Sequence, residues 1–176
     1  MVNKKEVLNV QPHSIDAEQA VLGSMLADKD AVNKAFEKKL SSEHFYKKSH
    51  SLIFAAMEIL DKKNEPIDTV SVVDILTKNN DIEAVGGAFY ISGLVELVPT
   101  TAHIARYIKI VMEKSVLRNL IFLANDISKE AFDDSQDLDD ILEYVQRSIF
   151  SITQGRLQKG FEKIDPVLHK TFEDID

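Results

Sequence analysis

The sequence predicts an all-α protein, with a compact helical head, a long antiparallel helical hairpin and a terminal linker helix. Three observations carry that reading. Apolar residues recur at spacings of three and four along most of the chain, and alternating strand patterns are nearly absent. Only six glycines and four prolines punctuate 176 residues. Residues 103–131 contain neither, which is room for about eight turns at 3.6 residues each.

The first helix is expected at 16–28. Asp16 is a candidate cap, Gln19 stands three residues on in capping-box position, and the apolar face is Ala17, Val21, Leu22, Met25 and Leu26. A second, at about 29–40, carries Val32, Ala35, Phe36 and Leu40. A third begins after Ser49 and carries Leu52, Ile53, Ala56, Ile59 and Leu60. Pro66 disfavours a helical Glu65 and breaks the chain there. Asp68 can cap a fourth helix bearing Val72, Val73, Ile75 and Leu76. Gly86-Gly87 ends one segment, and a short buried helix from Ala88 to Leu97 follows, stopped by Pro99. Thr100 or Thr101 then caps the long helix.

"DDSQDLDD" is a polar turn, and a last hairpin helix runs from Asp137 or Leu138 to about Gln154. Its stripe of Leu138, Leu142, Val145, Ile149 and Ile152 has heptad spacing. The long helix before it is apolar over most of its circumference, from Ile104 through Leu123. One hairpin partner covers one stripe only, so either the head or a second copy of the chain must cover the rest. Self-association is the favoured expectation. Its seam is expected at Ile104, Ile108, Val111, Met112, Val145 and Ile149, with Leu117 and Leu142 holding the hairpin itself together.

Residues 152–166 read as a linker because two glycines and a proline stand among polar residues. Asp165 and Pro166 then open a final helix with an apolar face of Val167, Leu168, Phe172 and Ile175. An isolated helix this short is marginal in water, so it is expected to order only when that face is covered. The expected division is a flexible arm at 1–12, the head at 13–100, the hairpin at 101–154, a linker at 155–162 and the linker helix at 163–176.

The balance of 29 acids against 21 bases, net −8, is a poor footprint for nucleic acid, because binding to a phosphate backbone relies on Lys and Arg. Lys38-Lys39 and Lys47-Lys48 read as solvated helix faces. With no cysteine, neither disulfides nor thiolate metal sites are available, which fits a cytoplasmic protein. No signal peptide is evident. No apolar run reaches the ~20 residues a membrane helix needs.

Catalytic patterns are missing. A phosphate loop needs Gly-x-x-x-x-Gly-Lys-Ser/Thr after a strand, so that backbone N–H groups and the lysine surround the phosphates. Ala88 and Phe89 follow Gly86-Gly87, which therefore reads as a turn aiming the next helix. Gly155 and Gly160 have the spacing, but Phe161 and Glu162 stand where Lys and Ser/Thr belong. The histidines, at 13, 44, 50, 103 and 169, lack ligand spacing and read as core or surface residues. The acidic turn lacks the Gly and terminal Glu of a calcium loop. No catalytic, cofactor or metal residue is assigned.

Four segments together carry a family resemblance. "PHSIDAEQAVLGSMLAD" (12–28) is very similar to the opening of DnaB-type bacterial replicative helicases. "FYKKSHSLIFAAMEIL" (45–60), "PIDTVSVVDIL" (66–76), and "VGGAFYISGL" (85–94) followed by "YIKIVMEKSVLRNLI" (107–121) resemble later segments of the same family, in order and spacing. The resemblance implies that family's amino-terminal domain. It further implies hairpins that pair, three pairs forming a collar on a hexameric helicase at the replication fork, and docking of a primase carboxy-terminal domain or a helicase loader. By the same resemblance, ATP and Mg belong to a motor that would begin where this sequence stops, and the linker helix packs on a neighbouring motor. The competing expectations are a free-standing helical accessory factor that binds DNA or replication proteins, opposed by the charge, and a small helical enzyme, opposed by the missing constellations.

Overall fold

The computed structural model describes residues 10–98, 100–133 and 135–157, the last four by backbone alone. Among them are seven α-helices and no strand. They are α1 (Ile15–Ala27), α2 (Lys29–Glu37), α3 (Lys48–Lys62), α4 (Thr69–Lys78), α5 (Gly87–Glu96), α6 (Ile104–Ala131) and α7 (Leu138–Leu157). A single 3-10 turn, Ser42–His44, precedes α3. The all-α expectation holds, and no helix among the described residues is long and apolar enough to cross a membrane.

Cap chemistry sets the boundaries. Ser14, rather than Asp16, caps α1, and its Oγ accepts from the Ala17 N–H. Asp28 closes α1 through its backbone N–H and caps α2 through Oδ1, which accepts from the Asp30 N–H at 2.9 Å. Its Oδ2 accepts from Thr101 Oγ1 at 2.8 Å, and that bond first, then the Asp30 N–H, holds the carboxyl below its usual range. Asp68 caps α4 as expected, accepting from the Ser71 N–H at 2.8 Å.

Three helices end in one way. Lys39, Asn64 and Asn80 take left-handed backbone, with φ of 56°, 55° and 61°. After each, the next N–H reaches back to the carbonyl five residues earlier: Leu40 to Ala35, Glu65 to Leu60, Asp81 to Leu76. These C-terminal closures use up carbonyls that the helix leaves unpaired. They also explain why α2 stops at Glu37, short of the expected 40.

The chain divides into two compact units, one through Arg118 and one from Asn119. The first is the head. Its core holds Val21, Leu22 and Met25 from α1, Ile53, Phe54, Met57 and Leu60 from α3, Leu76 from α4, and Ile91 and Leu94 from α5. Phe54 packs between the rings of Phe36 and Phe45, with centroids 5.8 and 5.0 Å away. Helices α1 and α5 cross closely at Gly23, where an added Cβ would lie 2.1 Å from the Leu94 carbonyl oxygen. Gly86 and Gly87 both have positive φ, 97° and 76°, and Gly86 caps α5. That is the turn the sequence leads one to expect, at a position where other residues would be strained.

Candidate docking surface

The described part of the second unit comprises the end of α6, the turn after it, and α7. Within the turn, Asp133 accepts from both the N–H (3.0 Å) and the Oγ (2.6 Å) of Ser135. Those bonds, the hydroxyl's first, hold the Asp133 carboxyl below its usual range. Asp137 starts α7, its Oδ1 accepting from the Asp139 N–H at 2.8 Å. Phe122, Leu123 and Asp126 from α6 and Tyr144, Arg147 and Ile152 from α7 line one shallow groove, so the chain reverses direction across the short turn and the two helices run antiparallel.

Within this unit Leu123 is buried. Leu120, Ile121, Phe122, Leu138, Leu142, Tyr144, Ile149 and Phe150 are between 42% and 68% exposed, and Phe132 more so. Residues 138, 142, 145, 149 and 152 fall on one side of α7 by helical periodicity, with Val145 and Ile152 half-buried. Among the described residues of this unit, two helices have no third layer to cover such a face. Exposed apolar residues in this number and register make the face a candidate docking surface.

In the head, a polar cluster joins α1, α3 and α5. Glu18 is 1% exposed and His50 0%. His50 Nδ1 lies 2.7 Å from Glu18 Oε2, and its Nε2 lies 2.7 Å from the Tyr90 hydroxyl. Glu18 also accepts from the backbone N–H groups of Tyr46 (2.7 Å) and Lys47 (3.3 Å). The Tyr90 oxygen accepts from Lys47 Nζ (3.0 Å) and Gln19 Nε2 (3.2 Å). Lys47, expected on a solvated face, thus serves the cluster. Nearby, Arg118 on α6 donates to the Pro12 carbonyl (2.9 Å) and the His44 carbonyl (2.7 Å). Its guanidinium lies 5.8 Å from the centre of the Tyr46 ring, which stacks on His13. Burial lowers the Arg118 pKa from its usual value, while the Glu18 charge opposes that shift. The carboxylate–imidazole–phenol chain looks like the start of a catalytic relay. His50, however, is sealed from solvent and both of its nitrogens are engaged, so the cluster ties helices together. No group of three or more His, Cys, Asp or Glu suited to a metal occurs among the described residues.

The family described as DnaB-like helicase N terminal domain matches residues 10–113. The chain belongs to that family. The replicative DNA helicase DnaB of Geobacillus stearothermophilus is 37% identical over 167 residues, covering 95% of this chain and 37% of that protein. The replicative DNA helicase DnaC of Bacillus subtilis is 36% identical over 165 residues, covering 94% of this chain and 36% of that protein. The chain therefore spans little more than a third of these curated relatives. The crystal structure of the N-terminal domain of DnaB helicase from Mycobacterium tuberculosis superposes with a TM-score of 0.75 at 31% identity, over 81% of this chain and 99% of that one. A DnaB-like replicative helicase, solved in a study of its interactions with primase, matches with a TM-score of 0.69 at 25% identity, over 92% of this chain and 34% of that one.

The DnaB-like fold divides the expected seam. Ile104, Ile108 and Val111 are 2% exposed or less, within the head core, and Met112 packs against that core. Their apolar surface is already covered by the chain itself, so Ile104, Ile108 and Val111 are corrected from seam to core. Val145 is half-buried and Ile149 46% exposed, so both keep apolar surface that the described residues do not cover. Leu117 and Leu142, expected to hold the hairpin together, are about half exposed. The linker-helix residues Val167, Leu168, Phe172 and Ile175, and most of the arm at 1–12, lie outside the described residues. The buried cluster was missed as a cluster. Its signal was present, since Glu18, His50, Tyr90 and Arg118 all stand inside the four segments that carry the resemblance.

Proposed function

We propose that this domain is the non-catalytic collar of a DnaB-type replicative helicase, joining copies of the chain through the hairpin and presenting a platform for a primase carboxy-terminal domain or a helicase loader. One observation carries the reading: the run of exposed apolar side chains on α7 and the end of α6, from Leu120 to Phe150, where the described head residues expose such side chains singly, as at Val70, Phe89 and Leu97. Pairing through Leu138, Leu142, Val145 and Ile149 would cover it. In this reading residues 163–176 link the collar to an ATP- and Mg-dependent motor, with Phe172 as anchor. The relative solved with a view to its interactions with primase makes primase the first partner to try.

The test is size-exclusion chromatography of the chain with a primase carboxy-terminal domain, beside a Phe150→Asp variant that folds normally by circular dichroism. Co-elution that the variant weakens is the expected outcome. Co-elution unchanged by Phe150→Asp moves the platform off this face, and no co-elution with either a primase domain or a loader removes the docking role. The rival reading, a free-standing nucleic-acid factor, has the net charge of −8 against it. Submicromolar binding of single-stranded DNA at physiological salt would restore it.

A further inference from the structure

We propose that residues 163–176 have a seat on their own hairpin, in the groove between α6 and α7, and rest there as a third helix. The proposal goes beyond the collar reading and does not depend on it. In that reading the segment must leave this seat before it links the collar to a motor, because Phe172 serves both positions.

The groove has its own side of the hairpin. Phe122 from α6 and Tyr144, Arg147, Ser148 and Ser151 from α7 are among the residues that line it, and the two aromatic rings are about half exposed. At 3.6 residues per turn, those four α7 residues lie ~100° or more round the helix from Leu142 and Ile149. The groove and the face assigned to pairing are therefore different sides of α7, which can be filled separately.

Chain length and register choose the occupant. Helix α7 ends at Leu157, and residues 158–162, Gln-Lys-Gly-Phe-Glu, separate it from the segment with the apolar face of Val167, Leu168, Phe172 and Ile175. Connections of ~2–8 residues are usual between packed helices, so five residues with a glycine among them suffice to reverse the chain. Turned back there, residues 163–176 run antiparallel to α7, and as a helix they span about 21 Å at 1.5 Å per residue. The stretch of α7 from Tyr144 to Leu157 has the same number of residues and includes every α7 residue of the groove. In that register Phe172 comes level with Ser148, and Glu173 with Arg147. The segment opens with cap chemistry at Asp165 and Pro166, but a helix this short needs cover to be stable in water. A five-residue tether holds it beside the groove at an effective concentration of order mM, which favours it over any free partner.

Amide hydrogen exchange of the whole chain tests this, in the native protein, in Phe172→Asp, in Tyr144→Asp, and in the double variant Leu142→Asp, Ile149→Asp, which alters the other side of α7. Slow exchange in 104–116 of α6 checks that each variant is folded. In the native chain, amides within 166–176 should exchange about tenfold more slowly than in Phe172→Asp or Tyr144→Asp. That protection should persist in the double variant. Equal rates in the native chain and Phe172→Asp would overturn the seat. Protection lost in Phe172→Asp but kept in Tyr144→Asp would place the segment outside this groove and overturn the proposal as well. Protection lost in the double variant would mean that a second copy supplies the cover, which contradicts a seat within one copy. A native chain that is monomeric by light scattering and still protects 166–176 would remove the pairing and support the seat.

Discussion

Phe54 and Phe150 are the same side chain in two different regions. Phe54 lies on α3 with no exposed surface, between two other aromatic rings. Phe150 lies on α7, 56% exposed. The head stacks α1, α3, α4 and α5 so that each apolar stripe meets another, and its polar exceptions, Glu18 and His50, are met by hydrogen bonds. Among its described residues the second unit has one hairpin and no further layer. What separates the two regions is the number of helices available to cover a face, since both are rich in apolar side chains. The head therefore buries its apolar stripes against one another, while the described hairpin leaves apolar surface uncovered.

Truncation of matched side chains should expose that difference most strongly. Phe54→Ala in the head should cost about 3–5 kcal/mol, because it removes buried surface and leaves a cavity. Phe150→Ala should change the stability of the monomer by no more than ~0.5 kcal/mol. Urea unfolding of the two variants at a concentration where the chain is monomeric is the measurement. A Phe150→Ala loss as large as that of Phe54→Ala would mean that the hairpin has a core of its own and that the comparison fails.

The polar cluster sharpens the contrast from the other side. Glu18→Gln leaves two backbone N–H groups and His50 facing a weaker acceptor, and breaking a buried pair of this kind costs about 3–5 kcal/mol. Tyr90→Phe removes one hydroxyl and should cost ~1–2 kcal/mol. Exposed pairs in the hairpin, such as Lys129–Asp126, should cost under ~1 kcal/mol when broken by Lys129→Met. A Glu18→Gln variant as stable as the native chain would show that the cluster is not what fastens α1 to α3.

The smallest expected effect is one of pH. Burial lowers the His44 pKa from its usual 6.5, so the fold favours the neutral ring. A folded-state pKa below the unfolded value means that His44's contribution is fully present above ~6.5 and is lost as pH falls through its lower folded value. The head's urea midpoint should therefore decline slightly below pH 6.5, and less so in His44→Asn. The Asp28 carboxyl, lowered by its bonds to Thr101 and Asp30, loses its contribution only at pH below its usual 3.8, well clear of that window. An equal decline in native and His44→Asn proteins would assign the titration to another group.

Most helix ends could be read from the sequence because their causes are local. Asp68 capping α4, the two glycines at the start of α5 and the polar turn before α7 each act within a few residues. Ser14 and Asp16 are both good cap residues two positions apart, and nothing local in the sequence decides for Ser14. The partners of α6 could not be read. A helix that is apolar on several sides states that it needs cover but not from what, and α6 answers differently along its length. Ile104, Ile108 and Val111 are covered by the head, while Leu117, Leu120 and Ile121 stay partly exposed. The Glu18, His50 and Tyr90 positions stand in the segments that carry the resemblance, but their contacts cannot be read from sequence, since they lie 32 and 40 residues apart and only the tertiary fold makes them neighbours.

The central claim is that the apolar face of α7 exists to be covered by another copy of the chain. The most direct test is the mass in solution by multi-angle light scattering, for the native chain and for a Leu142→Asp, Ile149→Asp double variant. A variant at Phe89, which is 91% exposed on α5, serves as control through Phe89→Asp. A charge placed in an apolar helix pairing costs several kcal/mol unless it finds a partner. The account predicts a dimer or larger species for the native chain and for Phe89→Asp, and a folded monomer for the double variant. A native chain that is monomeric up to high concentration, or a folded double variant with unchanged mass, would contradict it.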